Sequence, residues 1–492
     1  MLKKFCLSVL VTALLNTGVA AQIPFATDAP KPLTPKESLA SFQLPDNLRI
    51  ELVASEPLIV EPSAMVFDEF GQLFVGELHG YNLEGYYDIL ELNETGELDR
   101  EIRRVRVEGP ALDRARNETV GVIKLLWDED GDGHFESGQE WATNLPPVYG
   151  LIRARDGLVV VSPPQILYLA DLDGDGRAEV RETLYEGFGF EVIERGINSP
   201  RRGADNWIYV ATGGGGGKIT GPNLAEPVQL GQTDFRIRDD GSAIEAVTGS
   251  SYTFGMALTD FGDRFVTSTN NHALYATPLE YRHLIRNPFV ASPRGIADAA
   301  DYDQVFPTSE PDPWRLARND DPRWVEFYGQ RETVPNGYFT SACGPAIYRG
   351  GTLPEAYLNH HFACDPANNL IHRSVLSRVG AGYTVARAVG EESSEFLTST
   401  DRWFRPINIE TGPDGTLYIT DFYREIIEDY SAIPRHLQQR YVNSLRAGFE
   451  HGRIWRVTAK NAPAFQPTDL VEASIEELVQ ALENANPWMR ET

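Results

Sequence analysis

The sequence predicts an all-β fold: a six-bladed β-propeller followed by a short C-terminal helical segment. Three observations carry this expectation. A turn motif recurs along the chain, an apolar pair and then Asp with Gly or Asn, followed by an alternating apolar strand. Its spacing is too irregular for a short-period solenoid and suits blades decorated by long loops. The repeat then ends near Gly452 to Val457, which reads as a final strand that closes the ring.

The elements follow in order. Lys3 and Lys4 make a positive end, Cys6 to Leu15 an apolar run, and Val19-Ala20-Ala21 a small-residue cleavage site, so residues 1–21 read as a signal peptide. The mature protein is therefore expected to be periplasmic or secreted. No later stretch is long and uncharged enough to cross a bilayer, so no integral membrane span is expected after signal cleavage. Residues 22–46 are rich in Pro and Ala and read as a linker, with the propeller over 47–459.

Within that span the turn-and-strand unit occurs at Phe67 to Val75, Asp156 to Val161, Asp205 to Val210, Asp260 to Val266 and Asp414 to Ile419. A degenerate copy lies at Asn359 to Phe362. Asp-Gly and Asn-rich turns supply the positive φ angles of tight hairpins, and the β-branched and aromatic run after each pairs back on its neighbour. Over residues 460–492, Pro463 and Pro467 mark a linker. Ser474 and Glu477 then stand at capping-box spacing, and Ile475, Leu478, Val479 and Leu482 form an apolar helical stripe.

The formal charge of −27 repels phosphate backbones and anionic membranes, so nucleic acid is not an expected partner. After processing, two cysteines remain, Cys343 and Cys364. They are either a disulfide of an oxidising compartment or two buried thiols. There is no Cys-x-x-Cys-His motif, so the chain carries no c-type haem of its own.

Two acidic loops carry the strongest chemical signal. Asp171, Asp173, Asp175, Glu179 and Glu182 occupy positions 1, 3, 5, 9 and 12 of an EF-hand-like loop. Gly176 stands at the sharp turn, and the Arg177 carbonyl would fill position 7. The second loop offers Asp128, Asp130, Asp132 and Glu136, with Gln139 at position 12. Hard oxygens at this spacing suit calcium, and the alternative is a solvated Asp-Gly turn. Ile166 to Leu169 leads into the first loop as a strand, so both read as structural calcium loops on hairpins. Gly213 to Gly217 with Lys218 lacks phosphate-loop spacing and reads as an inter-strand loop.

Polar clusters beside strand ends supply candidates for the channel. His272 follows Phe265 to Thr267 and is the candidate base, or else a hydrogen-bonded structural histidine. Asp421 and Arg424 follow Leu417 to Ile419. Arg424 with Glu425 and Glu428 reads either as a ligand clamp or as an ion-pair network between blades.

Glu51 to Pro57, the two acidic loops, Tyr348 to Gly350, Trp403 to Pro406, Gly412 to Gly415 and Asp421 to Glu428 together resemble one family. It is the bacterial membrane-bound dehydrogenase propeller family, similar to the glucose/sorbosone dehydrogenase quinoproteins, and the resemblance runs from about Pro35 to Lys460. It implies an oxidoreductase that acts on a sugar or sugar-derived alcohol with calcium and pyrroloquinoline quinone. From the polar clusters of this chain, and not from the resemblance, His272 would then be the base, Arg405 and Arg424 would orient the cofactor or substrate, and Asp421 is a further catalytic candidate. The resemblance also implies that Ser474 to Arg490 opens a HEAT-like repeat and that a c-type cytochrome accepts the electrons. The rival expectation is a non-catalytic propeller that binds carbohydrate or protein.

Overall fold

The computed structural model describes residues 26–94, 102, 106–118, 121–189, 195–287, 289, 295–463 and 470–492. The expected signal peptide and the first part of the linker lie outside them. Six antiparallel sheets follow one another around a ring, which is the six-bladed propeller expected from the sequence. Blade 1 is Pro62–Phe67, Leu73–Glu77, Gly121–Trp127 and Ser137–Leu145. Blade 2 is Gly150–Ala154, Gly157–Ser162, Gln165–Ala170 and Val180–Glu186. Blade 3 has Asn198–Arg202, Ile208–Ala211, Phe235–Ile237 and Ile244–Ala246, and blade 4 has Met256–Leu258, Arg264–Ser268, Asn271–Ala276 and Ile296–Asp298.

Blade 5 starts with Cys343–Ile347, His361–Asp365 and Leu370–Val379. Both Gly382–Arg387 and Leu397–Ser399 pair with its long third strand, and Phe42–Gln43 joins outside. Blade 6 takes Pro406–Thr411, Leu417–Asp421 and Arg453–Ala459 from the end of the propeller. Its outer strand, Leu48–Ser55, comes from the beginning and pairs from Leu48 opposite Ala459 to Ser55 opposite Arg453, with a bulge between Leu52 and Ala54. Each innermost strand touches the next, and Pro406–Thr411 touches Pro62–Phe67, so the ring is closed.

All six copies of the turn motif join the innermost strand of a blade to its second strand. The second strands are buried on both faces because each lies between two neighbouring blades. In Gly157–Ser162, Leu158 and Val160 enter the cluster shared with blade 1, while Val159 and Val161 enter the cluster shared with blade 3. The period of two thus feeds two different apolar layers. The core is a ring of such layers between blades.

We call the end where the innermost strands begin the upper end. Three insertions rise from it. Leu83–Glu94 and Pro110–Glu118 come from blade 1, Pro313–Asn319, Pro322–Tyr328 and Gln330–Thr333 lie between blades 4 and 5, and residues 422–452 interrupt blade 6. They share one apolar cluster around Leu83, Tyr87, Trp314, Ile426, Tyr430 and Leu437, a helical canopy over part of the channel.

At the C-terminal end, Ser474 and Glu477 form the capping box of helix Ile475–Ala481, whose Ile475, Leu478, Val479 and Leu482 are exposed. The next helix, Pro487–Glu491, docks at the lower mouth of the channel. There Asn486 donates to the Gly412 and Pro413 carbonyls, and Arg490 meets Asp260 at 3.0 Å. Cys343 and Cys364 are register partners in blade 5 and are buried free thiols. Among the described residues, no helix is long and apolar enough to cross a membrane.

Candidate functional site

The four residues expected to carry catalysis all lie inside the protein, and none of them lines the cavity at the upper end. Asp421 ends the second strand of blade 6. It accepts from the Arg405 and Tyr423 backbone N–H groups at 2.8 and 3.0 Å and from the Trp455 indole at 2.9 Å. Burial raises its pKa to about 7 against those hydrogen bonds. Arg405 donates to the carbonyls of Arg424, Pro366 and Glu425 and meets the Asp312 carboxylate at 3.1 Å. Arg424 pairs with Glu61 at 2.8 Å and donates to the Tyr81 and Leu445 carbonyls. These three residues are therefore clamps that fix the canopy to blades 5, 6 and 1. An unpaired charge in a dry interior is costly, and the partners these side chains have are internal.

His272 also departs from its expected place at the channel. It sits between blades 4 and 5, with Nε2 3.1 Å from the Ser374 hydroxyl, and stacks on Phe339. His372 lies against it and joins Glu395 at 2.6 Å and Tyr302 at 2.9 Å. Burial holds the His272 pKa well below the usual histidine value, helped by His372, His361 and Arg387. A base needs access to substrate, and His272 has none.

The cavity itself, of about 290 Å³, opens at the upper mouth of the channel. Leu78, Phe422 and Pro366 line it just beyond the ends of second strands, and Ser63, Cys343 and Ile407 at the starts of inner ones. Tyr81, Phe254 and Phe422 supply aromatic walls. Helix Pro313–Asn319 places Arg315 and Arg318 three residues apart on one face, toward the cavity. Arg315 donates to Glu428 at 2.7 Å and to the Thr340 hydroxyl at 3.2 Å. Across the mouth, the Arg195 guanidinium lies 4.3 Å from the Tyr252 ring centre.

Glu428 was read from the sequence as a partner of Arg424, but it pairs with Arg315 instead. Arg195, Arg315 and Arg318 were missed. The signal for the last two was present, since Asp312-Pro313 before Arg315 and Arg318 marks a helix start and an i, i+3 pair shares a face.

The acidic loops are on the opposite, lower end, between the third and fourth strands of blades 1 and 2. Their turns are stitched identically. Asp128 accepts from Gly131 and Gly133, and Asp171 from Gly174 and Gly176, all at 2.7 to 2.8 Å. Glu136 reaches back to the Glu129 N–H, and Glu179 to the Leu172 N–H.

Asp128, Asp130, Asp132 and Glu136 offer oxygens within 4.8 Å of one another, as do Asp171, Asp173 and Glu179. Asp175 accepts from the Arg177 N–H at 2.9 Å. Glu182 is a correction to the expected ligand set. It belongs to the ladder opposite Tyr168 and turns to Arg155 at 3.6 Å, so position 9 and not position 12 completes the cluster. Each loop also joins its blade to the preceding one, through Phe135 N–H to the Val53 carbonyl and Gln139 to the Gly176 carbonyl.

A family model described as "Domain of unknown function (DUF7133)" matches residues 34–461. No curated protein matches the chain. Similar solved structures include the PQQ-bound aldose sugar dehydrogenase of Streptomyces coelicolor, at 11% identity over 84% of this chain and 100% of that one, TM-score 0.43. The PQQ domain of pyranose dehydrogenase from Coprinopsis cinerea is similar at 11% identity over 85% and 97%, TM-score 0.41. An inactive variant of virginiamycin B lyase from Staphylococcus aureus is similar at 13% identity over 84% and 99%, TM-score 0.36. Likeness at this level, to two dehydrogenases and a lyase, assigns no activity.

Proposed function

The chain belongs to the DUF7133 family, whose description assigns no activity, and we propose that it is an exported oxidoreductase acting on a sugar or sugar-derived alcohol in the upper cavity. The observation that carries this reading is the Arg315–Glu428 pair set beneath aromatic walls at the mouth of the channel. A sugar ring presents apolar C–H faces to such walls and hydroxyl groups to such a pair. Pockets with a mostly apolar lining and a few placed polar groups bind and orient molecules of this size.

Pyrroloquinoline quinone, the cofactor implied by the sequence resemblance, is a flat ring system bearing carboxylates. The lining suits both parts. Tyr81, Phe254 and Phe422 offer flat faces, and Arg318 offers a guanidinium with no ion-pair partner among the described residues. When bound, the quinone would supply the acceptor for the hydride that leaves the alcohol carbon. Glu428 would take the hydroxyl proton, while Arg315 holds its carboxylate in place. The canopy would keep bulk water from that proton transfer. Electrons would leave through a separate c-type cytochrome.

The test is reconstitution of the purified protein with quinone and calcium, followed by a sugar screen with an artificial electron acceptor. Dye reduction is expected, with Glu428→Gln lowering kcat by about 10²-fold or more and leaving KM within a few-fold. Failure to bind quinone together with no dye reduction would falsify the oxidoreductase reading. Residues 1–21 are proposed to direct export, with the propeller over 47–459, joined in blade 5 by Phe42–Gln43 from the segment expected to be a linker, and the start of a helical repeat after it. Calcium is proposed to fill the two acidic clusters, which stand far from the cavity and would brace the blades.

A further inference from the structure

We infer that Arg318 forms an oxyanion subsite in the upper cavity, where it holds a carboxylate of the bound molecule. Two guanidinium groups face this wall, and one carboxylate answers them. Arg315 is matched by Glu428 at 2.7 Å. Arg318, 5% exposed, donates only to the backbone carbonyls of Ala432 and Glu332, both at 3.2 Å, and its Nε has no partner. Among the described residues it forms no ion pair. The remaining acids of the lining are engaged elsewhere, Glu332 with the Asn270 amide at 3.0 Å and Asp429 with the Ser431 N–H and hydroxyl at 2.7 and 2.6 Å.

A buried guanidinium with no ion-pair partner in contact is costly. Burial, with repulsion from Arg315, outweighs the longer-range attraction of Glu428 and Glu332 and lowers the Arg318 pKa to about 10, so the group is still charged at neutral pH. Two of its five donors are used, and the free set suits the side-on, bidentate grip that arginine makes on a carboxylate. The Trp314 ring lies 5.1 Å from the Arg318 guanidinium and 5.2 Å from that of Arg315, so it steadies both and provides a fluorescent reporter beside the subsite.

The inference rests on the cavity being a ligand site, as proposed above, and not on redox chemistry. The carboxylate could belong to an acidic sugar or to the quinone. The experiment titrates the wild-type protein with glucuronate, its methyl ester, glucose and pyrroloquinoline quinone, followed by tryptophan fluorescence and calorimetry, and repeats the series with Arg318→Gln and Arg318→Lys.

If the carboxylate is the substrate's, glucuronate should bind at least about ten-fold tighter than the ester, and Arg318→Gln should abolish the difference. If it is the cofactor's, acid and ester should bind alike while quinone affinity falls about ten-fold in Arg318→Gln. Equal binding of acid and ester with unchanged quinone affinity overturns the subsite, as does no binding of any acid or of the quinone. The comparison of acid with ester needs no variant, so it stands even if Arg318→Gln folds poorly. A carboxylate preference without dye reduction would overturn the oxidoreductase reading alone.

Discussion

At the scale of single residues, His361 shows what a dry interior asks of a titratable group. It is fully buried between blades 4 and 5, and neither ring nitrogen has a partner. Burial, with His372 nearby, lowers its pKa to about 3. The unfolded chain therefore binds the proton more readily than the folded one. The stability tied to this ring is complete above the unfolded pKa of about 6.5 and falls as pH drops toward 3, at about 1.4 kcal/mol per pH unit. Between pH 7.5 and 5 the loss from His361 is about 2 kcal/mol. Unfolding free energies from urea titrations should fall between the two pH values for the wild type, and by about 2 kcal/mol less for His361→Leu; equal drops in both proteins would count against this account. The same burial explains why residue type alone left His272 and Arg424 open between catalytic and structural readings and made candidates of Arg405 and Asp421. Their residue types suit catalysis, yet only three-dimensional packing reveals that their partners lie inside the fold.

At the scale of elements, the acidic loops were legible because ligand spacing is a local property. Positions 1 to 9 fold as their glycines and aspartates require, with Gly133 and Gly176 at positive φ. Position 12 was not legible, because the outer strand of blade 2 recruits Glu182 into its ladder. The cavity was harder to read. Its lining comes from segments as far apart as Ser63 and Asp429, and no local pattern records that three insertions meet over one channel mouth. For the loops the expectation is a calcium-dependent melting temperature. Clustered carboxylates repel one another, and a cation that binds only the folded state adds about 2.7 kcal/mol at a hundred-fold excess over its Kd. Scanning calorimetry in millimolar calcium and in chelator should give a higher melting temperature with calcium. Asp171→Asn with Asp173→Asn should remove part of the gain, and identical melting in both buffers would exclude a calcium brace.

At the scale of the whole molecule, the repeat that announced six blades also fixes where the ring is weakest. Every blade except the sixth is built mainly from consecutive chain, and even blade 5 takes only Phe42–Gln43 from elsewhere. Blade 6 depends on Leu48–Ser55 pairing with Arg453–Ala459 across almost the whole length of the propeller. The sequence showed the final strand but not its partner, since the outer strand of blade 6 carries no turn motif and precedes the first copy. Such a non-local seam closes late and opens early, because its loop entropy is the largest in the fold. A disulfide at the facing pair Arg49 and Thr458, made as Arg49→Cys with Thr458→Cys, closes a loop of roughly 400 residues. One made at Leu169 and Arg181, facing residues within blade 2, closes a loop of roughly 12. Chain entropy favours the seam disulfide by about 3 kcal/mol. Oxidised and reduced forms of each variant, compared by denaturant midpoint, should show the larger gain at the seam. If the short loop stabilises as much, the ring does not open at blade 6, and the limiting contact lies between blades instead.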